Sequence, residues 1–178
     1  ELIANSIENT FRLEELAENM LTAMQIESDK YQYQLSSVDL SEMVAQIVKN
    51  QSIKGDIAAN IEKDIHLLGD GFILRMVINN LIENAMKYSP QHTEIKINLT
   101  ENNGKAKISV VDQGVGVDKQ DVPFIFDQFY RSGSEETRTT KGTGIGLYIS
   151  QQIVKAHNSK LNVKVGENGK GSEFYLEL

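Results

Sequence analysis

Three glycine clusters carry most of the chemistry this sequence could perform. Asp112-Gln113-Gly114-Val115-Gly116 directly follows an apolar run, and Gly142-Thr143-Gly144-Ile145-Gly146-Leu147 opens a helical pattern. Gly169-Lys170-Gly171-Ser172 precedes the last apolar run. A glycine-rich loop at a helix N-terminus presents backbone N–H groups and the positive helix end to an anion, most often a phosphate. The second cluster does not fit the dinucleotide fingerprint: it follows a polar stretch rather than a strand, and its glycines are spaced G-x-G-x-G. No Walker A pattern and no protein-kinase His-Arg-Asp or Asp-Phe-Gly motif occurs. A nucleotide bound here would sit in another fold.

A second constellation lies upstream. Asn80, Asn84 and Lys87 recur at i, i+4 and i+7, so a helix projects them from one side, bordering a stripe of Leu74, Val77, Leu81 and Ala85. Amide oxygens at a core edge with a lysine one turn on suit Mg²⁺ and phosphate, because magnesium prefers hard oxygen ligands. Asn is a poor helix former, so two in one helix require a reason; ordinary surface amides are the competing reading.

The elements that must position these residues follow from periodicity. Residues 1–28 read as one helix without Gly or Pro, its apolar residues (Leu2, Ile3, Ile7, Phe11, Leu13, Leu16, Ala17, Met20, Leu21, Met24) covering over half its circumference. Such a helix, ~40 Å long, wants helical neighbours; lying alone on a domain is the other option. Tyr31–Val38 looks extended, and a short helix follows, capped by Asp39 or Ser41. Extended pieces are expected around 56–61 and 66–68, and a stronger helix from Asp70 to Tyr88, stopped by Ser89-Pro90. Two apolar runs, 93–100 and 105–112, flank Asn103-Gly104 as a hairpin. A short helix is expected near 119–126, then a polar stretch at 132–142, a helix at 145–156 and a final strand pair at 160–165 and 172–178. The order lacks regular βαβ alternation, which favours an α/β sandwich over a doubly wound sheet.

Bulk properties narrow the function. A net charge of −7 argues against a phosphate-tracking surface, so no nucleic-acid partner is expected. With no cysteine there are neither disulfides nor thiolate metal sites. No apolar run approaches the ~20 residues of a membrane helix. The chain opens with Glu1 inside a helical pattern, as expected of a piece cut from a longer protein.

Taken in order, these pieces resemble the catalytic region of bacterial sensor histidine kinases. Asn80-Leu-Ile-Glu-Asn84-Ala-Met-Lys87-Tyr88-Ser resembles the N box, and Asp112-Gln-Gly-Val-Gly116 the G1 box. Phe124-Ile-Phe126-Asp-Gln-Phe129-Tyr-Arg131 resembles the F box and Gly142-Thr-Gly-Ile-Gly146-Leu the G2 box; Gly169-Lys-Gly171-Ser172 is similar to the last glycine motif, with Ser for the usual Thr. Val38-Asp-Leu and Leu68-Gly-Asp70 extend the resemblance over nearly the whole chain. It implies the Bergerat-type fold shared with gyrase, Hsp90 and MutL: a two-layer α/β sandwich, a mixed sheet backed by helices, here preceded by one long helix. It divides the chain into 1–28, half of a dimerisation and phosphotransfer hairpin, and 33–178, the ATP-binding domain.

The resemblance also implies roles. Asp112 would accept the adenine amino group, Gly114 and Gly116 would let the base approach, and Tyr88 would border or stack on it. Asn84 would hold Mg²⁺, with Asn80 nearby. Lys87 and Arg131 would meet phosphates, Arg131 the terminal one. Residues 132–141 would form a lid, ending in contacts from Lys141, Gly142, Thr143, Gly144, Ile145, Gly146 and Leu147, and Ser172 would line the base end. The cofactors implied are ATP and Mg²⁺. The partners implied are the histidine-bearing dimerisation helix of a homodimeric parent and a response-regulator receiver domain, in the cytoplasm, with the parent open to anchoring in the bacterial inner membrane; the piece itself is expected to be monomeric.

The acceptor histidine of this family lies on the first hairpin helix and precedes an acidic residue. His66, His92 and His157 precede Leu67, Thr93 and Asn158, and none lies in the opening helix, whose Arg12-Leu-Glu-Glu-Leu run resembles the second hairpin helix. The chain is therefore expected to bind Mg-ATP without phosphorylating itself. The competing readings are a degenerate regulatory module and an ATPase of the gyrase, Hsp90 and MutL branch. That branch activates water with a glutamate where this chain carries Asn80; Glu83 is rotated away from Asn80 and Asn84.

Overall fold

The structure, a computed structural model, describes residues 2–53, 55–132, 143–166 and 170–178, with the side chains of residues 2–9, 11–12 and 15–16 outside the description. Among the described residues the elements follow in the order α1 (Leu2–Glu27), β1 (Ser36–Asp39), α2 (Leu40–Gln51), β2 (Ile57–Ile61), β3 (His66–Gly69), α3 (Gly71–Tyr88), β4 (Ile95–Asn102), β5 (Lys105–Asp112), α4 (Gly146–Ala156), β6 (Asn162–Val165) and β7 (Ser172–Glu177). The main sheet has the order β2-β4-β5-β7-β6, and β1 pairs with β3 in a separate ribbon. Only β2–β4 is parallel; the other pairings in the main sheet are antiparallel, so it is mixed as expected.

Alternation explains how the sheet meets the helices. Ile95, Ile97 and Leu99 of β4 and Ala106, Ile108 and Val110 of β5 are buried on one face, where α3 packs. Asp112 ends that same file, which places a carboxylate where the core closes. The opposite face is polar: Tyr175 lies between the ammonium groups of Lys107 and Lys164, 4.7 and 4.8 Å from its ring centroid, and Glu173 pairs with both lysines.

Helix α3 is the spine. Ile73, Leu74, Val77, Ile78, Leu81, Ile82 and Ala85 are buried along it at helical spacing. Truncating one of the leucines to Ala would cost about 2–5 kcal/mol. Asp70, 2% exposed, caps the helix: its Oδ1 accepts from Phe72 N–H at 3.0 Å. Its Oδ2 accepts from Tyr31 O–H and Gln34 N–H, fastening the segment after α1 to the domain. Burial, and then the Asp70 charge, push the Tyr31 phenol up to about 12. At the other end Ser89, in extended conformation before Pro90, stops the helix.

Asp39, rather than Ser41, caps α2, accepting from Glu42 N–H at 2.8 Å. Asn103 and Gly104 both take positive φ (53° and 73°), the tight hairpin turn expected from Asn-Gly. One element differs from expectation. Residues 119–126 form successive turns, with Val122 and Ile125 N–H reaching the carbonyls of Asp118 and Asp121, and not a helix. Pro123 lacks the N–H needed to continue the ladder.

Helix α1 spans the expected residues, and its last turns lie against α4 through Ala23 and Ile26. Leu13, Leu21 and Met24 are 66%, 57% and 55% exposed on the other side, so the helix rests on the domain while keeping an apolar face outward. No helix among the described residues is long and apolar enough to cross a membrane.

Candidate functional site

At the C-terminal end of β5 two loops are stitched together. Gly114 N–H donates to Asp112 Oδ1 at 2.8 Å, and Gly171 N–H donates to the Gly114 carbonyl at 2.8 Å. The Ser172 backbone also donates to the Asp112 carboxylate, as their pairing in the β5–β7 register allows. Asp112 is 7% exposed. Burial pushes its carboxyl above the usual range, against the lowering pull of the Gly114 and Ser172 N–H groups.

Glycine is required here for two separate reasons. A Cβ on Gly114 would stand 2.4 Å from the Tyr88 carbonyl oxygen, so the first loop packs directly on the end of α3. Gly171, at φ 72°, brings its own backbone close to the Asp112 carbonyl, which a Cβ would meet at 2.5 Å. Gly116 also takes positive φ, 75°. Tyr88 is 38% exposed, with the Lys87 ammonium over its ring at 4.8 Å.

The other end of the site is built on α4. Its N-cap, Ile145, has no side chain that can bond the first-turn N–H groups, so these donors carry no side-chain cap. Uncapped N–H groups and the positive helix end suit an anion. Gly146 starts the helix against α3: a Cβ there would lie 3.5 Å from Asn80 Oδ1, ordinary contact. The Asn80 amide nitrogen is buried without a hydrogen-bond partner among the described residues. A buried unpartnered amide costs roughly 1–3 kcal/mol, a penalty a ligand oxygen would remove.

Gly144, at φ 72°, is packed so that a Cβ would stand 2.7 Å from the Tyr130 carbonyl, and its own carbonyl accepts from Phe129 N–H at 3.1 Å. This brings the turn bearing Arg131 against the start of α4. Thr143 is exposed, Ile145 is buried and Leu147 is half-buried. Asn84 and Lys87 are half-buried on α3. Lys141 and Gly142, with nearly all of the expected lid, and Gly169 lie outside the described residues.

A model of the histidine kinase-, DNA gyrase B-, and HSP90-like ATPase family matches residues 69–178, more than half the chain. The chain belongs to that family. Its fold is accordingly an ATP-binding one, and the relatives it matches are sensor histidine kinases. It is 31% identical over 178 residues to the sensor histidine kinase WalK of Bacillus subtilis, covering 95% of this chain and 29% of WalK. It is 28% identical over 177 residues to the sensor-like histidine kinase SenX3 of Mycolicibacterium smegmatis, covering 97% and 46%. The chain thus spans less than half the length of these relatives. Among solved structures, full-length ShkA in complex with AMPPNP superimposes with a TM-score of 0.79 at 24% identity, covering 96% of this chain and 36% of that one. The Acinetobacter baumannii histidine kinase AdeS gives 0.76 at 20% identity, covering 100% and 84%. The likeness in fold takes in α1 as well as the ATP-binding domain. The match is to a histidine-kinase catalytic domain, and nothing in it favours the ATPase branch or a degenerate module.

Within this family's site, several polar groups escaped sequence reading. Asp121 accepts from Tyr130 O–H at 2.9 Å and from Ser132 O–H. Tyr148 O–H donates to Glu27 at 2.9 Å, tying the start of α4 to the end of α1. Ser89 Oγ, next to Tyr88, is buried without a partner among the described residues. None had a spacing signal; the capping-type Asp121 in an Asp-rich turn was the nearest to one. The histidines lie on other elements: His66 on β3, His92 in a turn after α3, and His157 as the C-cap of α4, its Nδ1 on the Ile153 carbonyl.

Proposed function

We propose that this domain binds Mg-ATP and presents its γ-phosphate to a histidine on a dimerisation helix outside this chain, for relay to a response-regulator aspartate. One observation carries the reading. Helix α3 touches both loops, Gly114 at Tyr88 and Gly146 at Asn80. Eight residues of helix separate these contacts by about 12 Å, room for a base at one end and phosphates at the other.

Asp112 accepts the adenine amino group; an ionised carboxylate is acceptor-only and discriminates against a keto purine. Tyr88, Gly114, Gly116 and Ser172 line the base end. Thr143, Gly144, Ile145, Gly146 and Leu147 supply backbone donors to the phosphates, with Lys141 and Gly142 continuing that loop. Lys87 and Arg131 add positive charge. Mg²⁺ would be held by amide oxygens of Asn84 and Asn80, the Asn80 Oδ1 lying beside Gly146, while the unpartnered Asn80 amide nitrogen would donate to a phosphate oxygen. When bound it would neutralise charge on the phosphate oxygens. The chain's own groups position the triphosphate so that an imidazole nitrogen attacks phosphorus in line, forming N–P as the bond to the β-phosphate oxygen breaks.

The outward apolar stripe of α1, Leu13, Leu21 and Met24, supports residues 1–28 as the second helix of a dimerisation hairpin, leaving 33–178 as the catalytic domain. Because the transfer draws on ATP, the reading includes a cytoplasmic domain. The test is phosphotransfer in trans: with radiolabelled ATP, acid-labile phosphate should appear on an added histidine-bearing hairpin domain of the parent kinase and not on this chain. Label on this chain alone, or steady phosphate release without an acceptor, contradicts the reading.

A further inference from the structure

The turn before Arg131 is organised by one carboxylate. Asp121 Oδ1 accepts from the Tyr130 hydroxyl at 2.9 Å, and Oδ2 accepts from the Ser132 hydroxyl. Arg131 lies between these two donors in sequence, so its backbone is held on both sides by the same side chain. The rest of the turn supports that grip. Asp121 N–H is fixed by the Asp118 carbonyl at 2.9 Å, and the Phe124 and Tyr130 rings lie 5.8 Å apart. Phe129 reverses the chain at φ 64° and bonds the Gly144 carbonyl. The clamp therefore stands between a rigid turn and the loop that opens α4.

We propose that Asp121 is a positioning residue that holds Arg131 for the terminal phosphate of ATP. The inference rests on the phosphate role given to Arg131 above. Arg131 borders the glycine-rich loop through its neighbours, and a long side chain is useful to a phosphate only where its backbone is fixed. Without the clamp, Arg131 would pay conformational entropy to reach the ligand. The penalty would fall on nucleotides carrying the third phosphate and spare the diphosphate.

The measurement is the ratio of affinities for a non-hydrolysable ATP analogue and for ADP, both with Mg²⁺, in the wild type and three variants. Arg131→Ala should lower the ratio about tenfold, the worth of one charge-assisted hydrogen bond. Asp121→Ala should lower it about threefold or more in the same direction, with ADP affinity unchanged. A Tyr130→Phe/Ser132→Ala double variant removes the two donors, leaves Asp121 in place, and should reproduce the Asp121→Ala ratio. A wild-type ratio in the Asp121 and double variants, alongside a lowered ratio in Arg131→Ala, overturns this inference alone. So does a proportional loss of ADP and analogue affinity, which marks a merely structural carboxylate. An unchanged ratio in Arg131→Ala overturns the phosphate role of Arg131 and this inference with it.

Discussion

The two ends of the site are built on opposite plans. At the base end, the loops of residues 112–116 and 170–172 bond to one another and to the Asp112 carboxylate, and Gly114 is pressed on the α3 backbone. At the phosphate end, α4 begins without a side-chain cap and Asn80 keeps a buried amide without a partner among the described residues. The first end is part of the fold. On the proposed function, the second is left for its ligand to finish. If the proposed site is right, base recognition is preorganised, whereas phosphate binding draws on donors without protein partners.

Substitution of the two contact glycines gives the sharpest contrast. Gly114→Ala drives a Cβ to 2.4 Å from a backbone oxygen, so the end of α3 and the loop must part. The variant should lose about 3 kcal/mol in denaturant unfolding and most adenine-nucleotide binding. A melting curve equal to wild type would break the comparison.

Removing the base-end carboxylate should act on binding more than on folding, although it takes the acceptor from the Gly114 N–H. Asp112→Ala should weaken ADP by about 2 kcal/mol, roughly thirtyfold, with the fold intact by circular dichroism. Acidification offers the same test reversibly. The raised carboxyl pKa means that ADP affinity falls as pH drops, from a higher pH than an ordinary aspartate would give. The stability contribution has the opposite sign. A folded pKa above the unfolded one favours the protonated native state, so this group's contribution is present at low pH and lost as pH rises through the folded pKa. Parallel loss of affinity and stability on acidification of wild type, absent from the variant, would contradict the assignment.

Gly146→Ala should be the mildest. Its Cβ would find ordinary contact distances, and Ala is the better helix former, so stability should hold or rise by about 0.5 kcal/mol. Affinity for an ATP analogue should nonetheless fall severalfold, because the added methyl crowds the space beside Asn80 where phosphate oxygens would approach. Equal or better analogue binding would remove this end from the phosphate site.

Much of this was legible in the sequence. The Asn103-Gly104 turn, the start of α3 at Asp70 and the stop before Pro90 are local signals, and each sits where expected. Asp112 was legible as a polar residue closing an apolar file. Pairings set by distant residues were not: the parallel β2–β4 match and the separate β1–β3 ribbon leave no local trace. The residues at 119–126 have helical spacing that Pro123 overrides. Gly114 was legible as a glycine but not as a contact with Tyr88, and Asp121 carried no hint that its partners were Tyr130 and Ser132. Both relations depend on loops meeting in three dimensions.

The most direct measurement is a calorimetric titration with ADP and a non-hydrolysable ATP analogue, with and without Mg²⁺, in wild type and Asp112→Ala. The account predicts saturable binding of both nucleotides that depends on Asp112, with Mg²⁺ tightening the analogue more than ADP. Folded wild-type protein that binds neither nucleotide, or binds both equally well without the Asp112 carboxylate, would contradict it.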